Sequence, residues 1–174
     1  MKINLKEVKT NKRVLILSIV FGAIVIFIWG NSFQDKSISD SFSNGIIDNI
    51  LKFFLPKKII NHPEFHFYVR KAAHIVEFFS LGCIIGFLKI YLENRFHITL
   101  GLFVLLAIGV IDETIQNFSG RNSNVIDIII DFMAAIAGLL FIIGGRIVLL
   151  KFKEKIKAKN KLQDVPEKTE NIDS

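Results

Sequence analysis

Hydrophobic positions along the chain fall into four blocks, Val14 to Trp29, Ala72 to Leu92, Ile98 to Ile111 and Val125 to Leu150. A helix that crosses a bilayer needs roughly 20 predominantly apolar residues, with a range down to about 17. The first and last blocks meet that length outright, and the second meets it once His74 and Glu77 are accepted inside it. The third reaches it only by starting near Phe96 and continuing through Asp112 and Glu113. The pattern predicts an all-α integral membrane protein with four transmembrane helices.

Between the first two blocks the period changes. Ile38, Phe42, Ile46, Ile50 and Phe54 recur every four residues, with Asp40, Ser41, Asn44 and Asp48 between them. That spacing predicts an amphipathic helix lying in the membrane interface or capping the bundle, stopped by Pro56. Phe65 to Tyr68 leads into the second spanning helix, and Glu93 to His97 is a short polar turn. The third helix is expected to end about Gln116, and Asn117 to Asn124 is a turn with Gly120 and Arg121. The fourth helix is expected from Val125 to between Arg146 and Lys151. Residues 1–13 then form a basic cytoplasmic arm, 14–150 the membrane domain, and 151–174 a cytoplasmic tail, basic at first and disordered around and beyond Pro166.

The chain has 174 residues, one domain's worth, with 17 Phe and a formal net charge of +6. The positive charge does not indicate nucleic acid. It lies in two clusters that flank apolar blocks: Lys2, Lys6, Lys9, Lys12 and Arg13, and the lysines alternating from Lys151 to Lys161. Juxtamembrane bases of this kind favour a cytoplasmic, anionic leaflet, so both termini are assigned to the cytoplasmic side of the membrane. Val14 to Trp29 is slightly too long for a secretory core, and a Trp at its end suits an interface anchor, so it is read as a retained first helix. Cys83 is the single cysteine and predicts no intramolecular disulfide.

An up-and-down arrangement of the four helices brings four polar clusters to one membrane face. They are the exit of the first helix (Asn31, Ser32, Gln34), the start of the second (Arg70, Lys71, His74, Glu77), the end of the third (Asp112, Glu113, Gln116) and the start of the fourth (Asp127, Asp131). Charges at membrane depth cost about 2.5–3.5 kcal/mol each on insertion scales. The positive-inside assignment puts this face outward. The opposite helix ends carry only flanking charge, and that asymmetry points to a site.

Together, Arg70-Lys71-x-x-His74-x-x-Glu77-Phe78, Asp112-Glu113-x-x-Gln116, Gly120-Arg121 and Asp127-x-x-x-Asp131 resemble the VanZ-like family of bacterial membrane proteins, over roughly residues 14–145. Two positions depart from the family's usual pattern. Phe78 stands where a Tyr is common, and Ala134 where a Gly is common, although Ala134-x-x-x-Gly138 still allows close helix packing. The family takes its name from a protein associated with reduced sensitivity to teicoplanin. The resemblance therefore implies a cell-envelope role, with no settled reaction.

The residues themselves leave several chemistries open. Arg70, Lys71 and Arg121 suit a phosphate or carboxylate on an anionic lipid or a peptidoglycan precursor, with Gln34, Gln116, Asp127 and Asp131 completing the binding set. His74, with Glu77, Asp112 and Glu113, suits acid–base catalysis near neutral pH. His74 and Glu77 at i, i+3 also resemble ligand spacing, with Asp112, Glu113, Asp127 and Asp131 to supply oxygens for a divalent ion, but the motif has one histidine, so no metal and no cofactor is assigned. The competing reading is architectural: buried ionisable groups that pair only with each other and lock four helices together.

Overall fold

The structure, a computed structural model, describes residues 5–33, 65–120 and 124–163. Helix α1 spans Leu5–Ser32 and α2 Phe65–Leu92. A single 3₁₀ turn, Glu93–Arg95, leads to α3 at Ile98–Phe118, and α4 spans Val125–Gln163. Each helix contains a stretch long and apolar enough to cross a membrane: Lys12–Ser32, Phe67–Leu92, Ile98–Phe118 and Val125–Asn160. The four expected spans are therefore present, and the described residues include no strand. The amphipathic segment expected from Ile38 to Phe54 lies outside the described residues.

All four helices outrun the apolar blocks that predicted them, α1 and α4 by the most. Helix α1 begins at Leu5 rather than Val14, because Leu5 to Arg13 contains neither Gly nor Pro and several good helix formers. Helix α4 continues past Lys151 to Gln163 for the same reason, through a run of Lys, Glu, Ala and Leu. Its 39 residues at 1.5 Å each make roughly 58 Å, about twice the thickness of a hydrocarbon core. The lysine-rich last turns, all exposed over 151–160, thus stand beyond the apolar layer. Helix α3 also ends later than expected, at Phe118.

The seam that organises the bundle runs between α2 and α4. A Cβ on Gly82 would lie 1.9 Å from the Ala135 carbonyl oxygen, and one on Gly138 would lie 2.0 Å from that of Phe79. Backbones this close require small residues, the way membrane helices associate where lipid tails are as apolar as leucine. The Cys83 thiol points at the Gly138 carbonyl oxygen across the same seam, at 3.5 Å. Ala134, buried beside it, fits without the glycine of the family pattern.

Ile28, Phe78, Leu81, Leu105 and Ala135 have no exposed surface and form the centre of the core. Phe78 fills the space over Gly109, whose Cβ would stand 3.6 Å from the ring. Trp29 departs from the interface-anchor expectation: it packs against the core, and its indole N–H is buried with no hydrogen-bond acceptor among the described residues. Outward-facing Leu15, Ile19, Ile26, Phe103 and Phe141 are exposed, as surfaces that meet lipid should be.

Candidate functional site

The polar exit of α1, the start of α2, the end of α3 and the start of α4 meet at one end of the bundle. Local sequence sets up each contribution. Asn124 caps α4: its side-chain oxygen accepts the Ile126 N–H at 3.0 Å, and its backbone carbonyl accepts that of Asp127 at 2.8 Å. This places Asp127 in the first turn, where the helix dipole favours a carboxylate. Gly120, at φ +71°, takes a left-handed conformation that ends α3 and turns the chain toward α4.

A cavity of about 220 Å³ opens among these helix ends. Arg70, Lys71 and His74 line it from α2, Glu113 and Gln116 from α3, and Asp127 and Asp131 from α4. Seven of the residues expected at a site thus share one wall. Phe67, Gly120 and Ile130 complete the lining and carried no signal as site residues in the sequence. Two other expected residues, Gln34 and Arg121, lie outside the described residues.

Behind that wall sits Asp112, with no exposed surface. Its Oδ1 accepts a 2.5 Å hydrogen bond from the Ser32 hydroxyl of α1, and its Oδ2 accepts one of 2.7 Å from the Gln116 amide. Gln116 is one turn further along the same helix, so the i, i+4 spacing supplies one partner and tertiary packing the other. Ser32 had been grouped with the polar cluster but given no role; its fully buried hydroxyl is what ties α1 to the site. His74 Nδ1 stands 3.6 Å from Glu77 Oε2 and 3.8 Å from Asp112 Oδ2, so one imidazole faces two carboxyl groups.

The remaining acids have different partners. Glu113 Oε2 accepts the Asn124 backbone N–H at 3.1 Å, which bonds the end of α3 to the cap of α4. Asp127 forms an ion pair with Lys71. The Lys71 ammonium also lies 5.2 Å from the centre of the Phe67 ring, within cation–π range. Asp131 is 4% exposed and makes no hydrogen bond or ion pair among the described residues.

This arrangement can do two things chemically. It offers cationic and carboxylate groups in the lining of a single cavity, and it surrounds one imidazole with acids that could orient it or exchange protons with it. A family model described as VanZ/LLP1 matches residues 14–150, which includes every residue of this constellation. The chain belongs to the VanZ/LLP1 family. As in the sequence reading, the VanZ/LLP1 match leaves out both charged tails. No curated protein matches the chain, and no solved structure does. Family membership and the four apolar helices together make it a multi-pass membrane protein.

Proposed function

We propose that this VanZ/LLP1 protein binds, or binds and modifies, the headgroup of an anionic lipid or a peptidoglycan precursor at the outer face of the bacterial membrane. It thereby lowers sensitivity to teicoplanin-type glycopeptides. The observation that carries this reading is the cavity itself, in which Arg70 and Lys71 face Glu113, Asp127 and Asp131 where a bundle of membrane helices ends. A headgroup that combines phosphate with hydroxyl or amine donors matches such a wall. Arg70, Lys71 and Arg121 take the anion, while Gln34, Gln116, Asp127 and Asp131 orient its polar substituents. His74 and Glu77, steered by Asp112 and Glu113, are the acid–base pair of a modifying step.

The test is a susceptibility assay with Arg70→Ala, Arg121→Ala and His74→Ala. Each variant should accumulate in the membrane as the parent does yet lose the change in teicoplanin sensitivity. Full retention of that change by all three would overturn the reading. Reporter fusions should place Lys58 outside the cell and Asn94 inside; the reverse would put the cavity on the cytoplasmic face.

A second reading draws support from the Ser32–Asp112–Gln116 chain of hydrogen bonds, which has the form of an interhelical lock. On that reading the protein is structural or partner-binding, and the polar cluster serves assembly. It predicts that the same three variants fail to accumulate at all.

A further inference from the structure

We infer that His74, Asp112 and Asp131 form a divalent-cation site at the inner wall of the cavity. One ligand atom from each of the three lies within 4.8 Å of the other two, and they come from three different helices. Atoms bonded to one ion at about 2.0–2.2 Å stand closer than that, so side-chain rotation brings the set together on binding.

The feature beyond proximity that points to a cation is Asp131. Around it every other acid has a partner: Asp127 has Lys71, Glu113 has the Asn124 N–H, and Asp112 has Ser32 and Gln116. Asp131, 4% exposed, alone lines the cavity with no hydrogen bond or ion pair among the described residues. A cation there is the partner that would let Asp131 and the neighbouring Asp112 both stay ionised.

The support around Asp112 has the form expected of a ligand. Its two oxygens are oriented by Ser32 and Gln116, the kind of support that fixes a ligating carboxylate. One imidazole nitrogen with two carboxylate oxygens is a mixed donor set, which suits Mn²⁺ or Zn²⁺ better than all-oxygen Mg²⁺ or all-thiolate sites. The remaining coordination positions open into the cavity. In this site His74 and Asp131 hold the ion in place of the acid–base and orienting roles given above, while anion binding by Arg70 and Lys71 does not depend on it.

The experiment uses the full-length chain, purified in detergent, stripped with a chelator and titrated with Mn²⁺ alone. One Mn²⁺ per chain is expected, with a directly bonded nitrogen coupling in its electron paramagnetic resonance. The coupling should persist when His62, His66 and His97 are all changed to Gln, which leaves His74 as the single histidine of four. Asp131→Asn should weaken Mn²⁺ at least tenfold, and Zn²⁺ should displace Mn²⁺. Absence of saturable binding, binding without nitrogen coupling, or an unchanged affinity in a folded Asp131→Asn chain would overturn the proposal. Should Asp131→Asn fail to accumulate, the nitrogen coupling of the triple-Gln chain decides the matter by itself. Because no headgroup is present in the titration, its result stands apart from the susceptibility assay.

Discussion

The two ends of the bundle handle charge in opposite ways. At the end where α2 meets α3, cations settle on helix carbonyls and aromatic faces. The Lys89 ammonium donates to the carbonyls of Glu93 at 2.7 Å and Phe96 at 3.0 Å, and Arg146 donates to that of Ile90 at 3.3 Å. Arg13 lies 5.5 Å from the centre of the Tyr91 ring. These are cationic ends capping helix C-termini, where orphan carbonyls and the macrodipole both favour them. At the other end carboxylates go inside. Asp112, Glu113 and Asp131 are all buried, and the partners that hold them come from other helices as well as their own. The first arrangement finishes helices at a membrane boundary; the second concentrates unlike groups around a cavity.

The largest expected effect breaks both ends at once. Gly82→Val pushes side-chain atoms into the Ala135 backbone, where even a Cβ would stand 1.9 Å from the carbonyl oxygen. The α2–α4 seam supports the cavity and the Lys89 end alike, so destabilisation of about 3 kcal/mol or more is expected. Membrane accumulation and thermal unfolding in detergent check it; wild-type behaviour in both would show that the two backbones do not approach so closely.

A middle-sized effect belongs to the polar end. Ser32→Ala removes the α1 donor to Asp112 and leaves a buried acceptor short of one bond, which costs about 1–2 kcal/mol. Thermal unfolding again measures it, and an unaltered midpoint would mean that α1 does not hold the site. The smallest effect belongs to the capping end. Lys89→Met loses two partly solvated hydrogen bonds to carbonyls, and a loss of about 0.3–1 kcal/mol is expected. The contrast between the ends collapses if Lys89→Met proves as costly as Ser32→Ala.

Much of this was legible before any coordinates. The start of α4 at Val125 matches the expectation, because capping and block edges are local signals, whereas α2 begins at Phe65, ahead of the Arg70 at which the helix is expected to begin. The late end of α4 was not seen, since a fall in hydropathy marks where a helix leaves the bilayer and says nothing about where it stops. Most of the candidate site was also in view: His74, Glu113, Gln116, Asp127 and Asp131 were grouped from helix ends alone, and they share one cavity. Phe67 and Ile130 were not, because an apolar residue near a helix end looks the same whether it faces lipid or a cavity.

By itself, the sequence determined the number of crossings, their up-and-down order and the gathering of polar clusters at one end. All three follow from windows of about 20 residues and from the cost of leaving a charge in hydrocarbon. Only the tertiary structure decided who partners whom: Lys71 with Asp127, Ser32 with Asp112, and Asp131 with no described partner. Those pairings depend on how far each helix is rotated about its own axis and how closely two backbones approach. Here the close approach is set at Gly82 and Gly138, further along α2 and α4 than the charged groups at the cavity.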